Sequence, residues 1–301
     1  MSDLQTSDVS SASFTPCENI RRDHKRLSSG ERRHAILDAA KELFLTKGYA
    51  ATSLEEIVAT SGGSLSTVEI LVTLFFDVMR HNPADPAWKE RDRFILSKGH
   101  GCPTLYAILA ECGYCDKDGL MTLRKLGSPF QGHPDVRFLP ALEASTGSLG
   151  QGLSVAIGMA LAAKLDKSNF RTYVVLGDGE IQEGQIWEAA MFGSFHKLDN
   201  IVAIVDYNKI QLDGFVKDIL DLEPLASKWA SFGWHVIEVD GHDVAALQRA
   251  FAEASATKGK PSCVLAHTVK GKGVSFMENN PKYHGSAPSR DELSKALQEL
   301  A

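Results

Sequence analysis

The stretch VVLGDGEIQEG, residues 174–184, carries an apolar run into Gly177-Asp178-Gly179 and then turns polar. Thirty residues after Asp178, the run NIVAIVDYNKI (200–210) delivers Asn208 at its own polar end. One carboxylate oxygen, one amide oxygen and a backbone carbonyl make a hard-oxygen half-site of the kind that holds Mg²⁺, with the other positions left to phosphates and water. An ion held there would clamp a diphosphate. Gly177 and Gly179 let backbone come close to such a ligand. An isolated Gly-Asp-Gly also reads as a helix cap, and a lone Asn as a turn. The pairing of the two at the ends of successive apolar runs favours the ion site.

Positioning these residues requires strands. The spacing predicts strands over 170–176, 200–206, 234–239 and 261–267. Helices are expected near 182–196, 222–232 and 243–257. β-rich apolar runs alternating with helices imply a parallel sheet covered on both faces, an α/β fold of three α/β/α layers. Right-handed crossovers put the carboxyl ends of such strands along one edge, where ligands of open α/β sheets sit. Upstream, STGSLGQGLSVAIGMALAAKL (145–165) reads as a glycine-rich turn entering a helix of small residues, whose N-terminal N–H groups favour an anion or a polar cofactor edge. A helix is expected over about 65–80, ended by NPADP (82–86), and residues 102–126 read as helical but irregular.

His100 lies between glycines in KGHG, as in a loop open to a ligand, and an imidazole suits proton transfer near neutral pH. His196, His235, His242 and His267 read as structural. Cys112 and Cys115 form a single CxxC without a second pair or clustered histidines, which is weak support for zinc or redox chemistry. The chain has 301 residues, 44% hydrophobic and 23% charged, an ordinary globular composition. A net charge of -6 gives no support to wholesale nucleic-acid binding. No apolar run reaches the roughly 18 residues of a membrane span. Five cysteines without framework spacing suit a reducing, cytoplasmic setting. Residues 1–30, rich in Ser, Thr, Asp and Arg, read as a disordered tail.

GDGEIQEGQIWEAAMFG together with LDNIVAIVDYNKIQLDG resembles the thiamine diphosphate-binding motif. SKGHGCPTLYAIL, QGHPD, STGSLGQGLSVAIGMALAAKL, EPLASKWASFGWHVIEVDGHD and AHTVKGKGVSFMEN resemble, in order, the N-terminal half of transketolase as found in split enzymes. The resemblance runs from about 63 to 301. It implies Asp178, Asn208 and the Ile210 carbonyl as Mg²⁺ ligands, and Gly179 beside the diphosphate. Gly147, Ser148 and Leu149 would lie along the aminopyrimidine. His100, His133 and His284 would line the channel over the thiazolium, and His100 would also bind the cofactor. Glu183 is similar to a buried carboxylate that couples two active sites across an interface, and Lys270 lies in the matching KGKG loop. The implied reaction moves a two-carbon ketol unit from a ketose phosphate to an aldose. The glutamate that protonates the aminopyrimidine belongs, in this family, to a pyrimidine-binding domain. The implied partner is therefore a second, C-terminal subunit, in a homodimer or an α2β2 assembly, with the present chain inactive alone.

Residues 31–62 depart from that pattern. RRHAILDAAKELFLTKGYAATSLEEIVATSGG resembles the opening of TetR-type regulators, with Ser53 and Glu56 as a capping box, while the Ser-Gly-His usual before GGSLS in split transketolases is missing. The recognition helix of such a regulator is replaced by the apolar SLSTVEILVTLFF (64–76). Three alternatives remain at this level: the matching subunit of another thiamine diphosphate enzyme, a regulator with a borrowed sensor domain, and an inactive remnant.

Overall fold

The computed structural model describes residues 64–284 and 288–300. The expected tail (1–30) and TetR-like head (31–62), with its capping box, lie outside the described residues. A 3₁₀ turn, Leu65–Thr67, leads into α1 (Val68–Thr73), which widens into a π turn over Leu74–Val78. β1 (Arg93–Leu96) precedes α2 (Cys102–Cys112), which has Pro103 in its first turn and ends at Gly113 with φ +90°. Both features follow from backbone chemistry. Proline needs no N–H in the first turn, and glycine adopts the left-handed cap without a Cβ clash.

A long loop reaches α3 (Gln151–Leu165), then β2 (Thr172–Gly177), α4 (Gly184–Phe195) and β3 (Ile201–Tyr207). A small hairpin, β4 (Ile210–Gln211) with β5 (Gly214–Phe215), precedes α5 (Val216–Ile219), α6 (Leu225–Ser231) and β6 (His235–Asp240). α7 (Val244–Ala256), β7 (Ser262–His267) and α8 (Arg290–Leu300) complete the described chain. Asp243 caps α7 through the Ala246 N–H at 3.1 Å. No described helix is long and apolar enough to cross a membrane.

β1, β2, β3, β7 and β6 form one sheet in that order, every pair parallel. β2 and β3 are buried along their whole length, so side chains on both faces need cover. Alternate residues supply two cores. Tyr173, Val175, Val202 and Ile204 pack with Ile70, Leu105 and Phe251 of α1, α2 and α7. Val174, Leu176, Ala203 and Val205 pack with Ile157, Ile186 and Trp229 of α3, α4 and α6. This is the expected three-layer α/β/α arrangement. All four expected strands form, and β1 is a fifth that the apolar runs do not predict. The expected helix near 222–232 begins only at Leu225, because Pro224 cannot continue a helix from upstream.

The glycine-rich start of α3 sits against β1. A Cβ on Gly152 would lie 2.4 Å from Ser97 Oγ and 2.9 Å from Ser97 Cα, so the helix approaches the strand as closely as it does only because residue 152 has no side chain. Gly158, two turns on, faces open space with an ordinary helical φ. Gly152→Ala is expected to lower stability by about 1–3 kcal/mol through overpacking. Gly158→Ala should raise it by roughly 0.5–1 kcal/mol. Urea unfolding midpoints of the two variants check this opposition of sign.

Candidate active site

β2 and β3 run in register with Gly177 beside Asp206, so Asp178 and Asn208 leave the sheet at the same edge. The two segments are tied directly. Asp178 Oδ1 accepts from the Gly179 N–H at 2.8 Å, and its Oδ2 accepts a short hydrogen bond from the Lys209 N–H. Asn208 Oδ1 accepts from the Ile210 N–H at 3.1 Å. Asp178, Gly179, Asn208 and Ile210 all line one cavity of about 380 Å³. Burial, and then the neighbouring Asp206, push the Asp178 carboxyl above the ordinary carboxylate range. A divalent cation would reverse that cost. A Cβ on Gly179 would lie 2.8 Å from Gln211 Cβ, so this position tolerates only glycine without a shift of the hairpin.

Beneath the edge lies a buried charged network. Asp206, at the end of β3, is fully buried. It accepts from Lys98 Nζ at 2.5 Å, Ser66 Oγ at 2.7 Å and Asn208 Nδ2 at 3.0 Å, and a short bond from the Thr268 hydroxyl. Burial works to raise this carboxyl, but the Lys98 ammonium and the hydroxyl donors outweigh it and hold it at about 2. Lys270 is equally buried, and burial together with Lys98 pulls its ammonium below the usual lysine range. Glu180 is a second buried carboxylate. It accepts from the N–H groups of Gly150 at 2.9 Å and Gly177 at 3.0 Å, and a short bond from the Ser97 hydroxyl, joining α3, β2 and the end of β1. Burial raises its pKa.

The three histidines meet at the same cavity. His100 and His284 stand with ring centroids 5.5 Å apart. His133 packs on Gly147, whose φ of +142° and missing Cβ leave the ring room: a Cβ there would lie 3.0 Å from it. Gly99 brings the His100 turn onto this loop, since its Cβ would meet Thr146 and the Gly147 nitrogen at 2.8 Å. Burial, followed by Lys98 and His284, pushes His100 down to about 2. Burial and Lys270 push His284 down to about 3. Burial and then Arg124 lower His133. All three are therefore neutral near pH 7. His284 Nδ1 is buried without a hydrogen-bond partner among the described residues, so a polar ligand atom would satisfy it. Leu149 lines the cavity, and Ser148 is exposed beside it.

Glu183 stands apart. It precedes α4 with an exposed side chain, outside the residues that line the cavity. A wider cleft of about 990 Å³ opens past β3, β7 and β6. Its polar groups are largely spent on local pairs, Tyr207 with Glu223 at 2.5 Å and His267 with Glu238 at 2.9 Å, so the converging chemistry belongs to the smaller cavity. His235, paired with Glu253, and His242, which accepts from the Val269 N–H, serve local packing. Burial raises the thiols of Cys112 and Cys115 to about 12, and no described cluster of three His, Cys, Asp or Glu could hold a metal. A site built from Asp178, Asn208 and a backbone carbonyl is not such a cluster.

Residues 55–301 match the family described as transketolase, thiamine diphosphate binding domain. The chain belongs to the transketolase family. It is 46% identical over 252 residues to 6-deoxy-6-sulfo-D-fructose transketolase subunit SqwG of Clostridium sp. (strain MSTE9), covering 82% of this chain and 92% of that protein. It is 43% identical to a subunit of the apulose-4-phosphate transketolase of Phocaeicola vulgatus, covering 80% of this chain and 85% of that protein. Human transketolase is 40% identical over 88% of this chain, which spans 42% of it. A crystal structure of transketolase from Pichia stipitis superposes with a TM-score of 0.81 at 32% identity, covering 88% of this chain and 40% of that one. The transketolase match begins inside the head expected over 31–62. Residues 36–68 also match bacterial regulatory proteins of the tetR family. Where the two matches overlap, Leu65, Ser66 and Thr67 are buried in the α/β domain, with Ser66 bonded to Asp206. Those residues are not available to enter a DNA groove.

The donors fit the family's cofactor: hard oxygens for a cation, an unpartnered His284 nitrogen, and glycines at 147 and 179 where side chains would collide with His133 and Gln211. The neutral histidines also set a pH dependence. The unfolded chain takes up protons on His100 and His284 as pH falls below about 6.5, while the folded chain resists until far lower. Stability is therefore complete above pH 6.5 and is lost as pH falls through that value, by up to about 1.4 kcal/mol per pH unit for each histidine. Urea unfolding at pH 7 and pH 5.5 should show this slope, and His100→Gln/His284→Gln should flatten it. Asp206→Ala leaves Lys98 buried without its counter-charge, with an expected loss of about 3–5 kcal/mol in the same assay at pH 7.

Proposed function

We propose that this chain is the N-terminal subunit of a split, Mg²⁺-dependent transketolase that moves a two-carbon ketol unit from a ketose phosphate to an aldose. The observation that carries the proposal is the junction of β2 and β3, where Lys209, next to Asn208, donates its N–H to Asp178 at the mouth of a buried, cation-rich cavity. Asp178, Asn208 and the Ile210 carbonyl would hold Mg²⁺, and Gly179 would admit the diphosphate. Gly147, Ser148 and Leu149 would lie along the aminopyrimidine. When bound, thiamine diphosphate supplies the electron sink that C–C cleavage needs. His100, His133 and His284, neutral at working pH, would accept and return protons on the substrate hydroxyls and exclude water from the channel.

The other half of the site is assigned to a partner chain carrying the pyrimidine-binding domain, in a homodimer of such pairs, an α2β2 assembly. Relatives of similar length are named as subunits, which supports that assignment. Glu183, exposed on this chain, is placed at the interface between copies. The division proposed for the chain is a tail over 1–30, a head over 31–62 and the diphosphate-binding domain over 63–301. The described cysteines are all unpaired, which suits the cytoplasm.

The purified chain with Mg²⁺ and thiamine diphosphate should give no ketol transfer from D-fructose 6-phosphate. Adding a subunit that carries the pyrimidine-binding domain should restore transfer. Asp178→Asn should weaken Mg²⁺-dependent cofactor binding, followed by tryptophan fluorescence, by at least about 100-fold, since even an outer-sphere loss costs 10–100-fold. Robust turnover by the chain alone overturns the proposal.

A further inference from the structure

Beyond its local packing, His242 holds the segment Thr268–Lys270, which leaves the end of β7 at the edge of the cavity. Thr268 gives its hydroxyl to Asp206, which accepts from Asn208 Nδ2 at 3.0 Å, and Lys270 lines the cavity itself. Between the two, Val269 donates its N–H to His242 Nε2 at 2.8 Å. A backbone N–H can only donate, so Nε2 must present its lone pair, and the neutral ring then carries its proton on Nδ1. His242 Nδ1 stands 3.1 Å from Glu69 Oε2, and neither atom has any other hydrogen-bond partner among the described residues. The carboxylate thus matches the tautomer that Val269 demands. Glu69 belongs to α1, so one imidazole joins α1 to the segment after β7. The turn that carries the ring presses on the same segment. Gly241 donates to the His267 carbonyl at 2.9 Å, and a Cβ on it would lie 2.3 Å from Thr268 Cγ2. The His242 N–H is itself tied to Asp240 Oδ1 at 2.9 Å. Backbone and ring together leave the Thr268–Lys270 segment one seat.

We infer that His242, set in one tautomer by Glu69, is a positioning residue for cofactor binding: it seats Thr268 on Asp206, which orients Asn208, and it seats Lys270 in the cavity. The inference rests on the transketolase reading and adds two residues to it. Neither Glu69 nor His242 lines the smaller cavity, so their effect must pass through the segment they hold. Losing the ring strands the Val269 N–H and frees the segment to shift. Losing the carboxylate lets the ring change tautomer, and an Nε2–H would then meet the Val269 N–H donor to donor. Amide side chains offer a rescue, because a glutamine at 242 carries both an acceptor for Val269 and a donor for Glu69.

Two measurements test the role. In the full chain labelled with nitrogen-15 histidine, long-range proton–nitrogen spectra should show His242 as the Nδ1–H tautomer, and Glu69→Ala should abolish that preference. The second uses the complex of this chain with a subunit carrying the pyrimidine-binding domain, at saturating thiamine diphosphate, with Mg²⁺ binding followed by tryptophan fluorescence. The Kd for Mg²⁺ should rise about 10–100-fold in His242→Leu and in Glu69→Ala, as for outer partners of a metal site. His242→Gln should keep it within about threefold of the unsubstituted complex. Phe251→Leu, a change in the buried layer that α7 shares with α1, should lower the unfolding midpoint and leave the Kd in place. An Nε2–H tautomer in the unsubstituted chain, or a Kd unchanged in both His242→Leu and Glu69→Ala, overturns the positioning role alone. An equal rise in Phe251→Leu also overturns it, since lost stability would then suffice. An unsubstituted complex that binds no Mg²⁺ and thiamine diphosphate overturns the transketolase reading and this inference with it.

Discussion

The site depends on one buried carboxylate. Asp206 receives Ser66 from the turn before α1, Lys98 from the end of β1, Asn208 from the end of β3 and Thr268 from the end of β7. Four segments distant in sequence are brought to one point by bonds that only an ionised oxygen pair can accept together. Removing a charge from water costs several kcal/mol, and such a pair repays it only when the remaining lone pairs are satisfied. Here they are, which is why a wholly buried Asp stays ionised. Its bond to Asn208 Nδ2 fixes the amide nitrogen, so that the oxygen, which also accepts from the Ile210 N–H, is the atom left to face a cation. The carboxylate thus orients a candidate ligand without touching the cavity's contents.

The same hub explains the electrostatics above it. Lys98 is neutralised by Asp206, yet its charge still reaches the histidines and Lys270. Burial first, and then the charges of Lys98 and Lys270, lower His100 and His284, so these two imidazoles remain unprotonated where an ordinary histidine would be partly charged. Neutral imidazoles can take a proton from a hydroxyl, whereas imidazolium cannot. The cationic surplus is also what an incoming diphosphate and a charged sugar would meet. Structure and function would then share a cause: an anionic ligand would offset the positive charge buried beneath the cavity.

Much of this is readable in the sequence, and the rest is hidden for identifiable reasons. β2, β3, β6 and β7 announce themselves as apolar runs between helices. β1 does not, because RFIL is four residues long and flanked by charges. The Asp178 and Asn208 pair is readable because glycines and spacing mark it. Asp206 stands in plain view inside IVAIVDY, and an acid within a strand covered on both faces is itself a signal that a buried cation must answer it. That rule points toward Lys98 as well. Glu180 looks like one acid among several in GDGEIQEG, and only the fold separates it from Glu183, burying the first and exposing the second.

The head of the chain poses a conflict between two local patterns, and burial decides it. A helix-turn-helix reads DNA with a helix whose outer face is polar and free to enter the major groove. In this chain the equivalent stretch begins Leu65-Ser66-Thr67 and continues into Ile70, Leu71 and Val72, all buried. Ser66 and Thr67 spend their hydroxyls inside, on Asp206 and the Ser64 carbonyl, while Ile70 and Leu71 fill the core under the sheet. Freeing this helix for DNA would strip a donor from the hub and open the hydrophobic layer that α1 shares with α2 and α7. The segment can belong to the α/β domain or to a DNA-binding unit, but not to both at once, and its side chains are already committed to the domain.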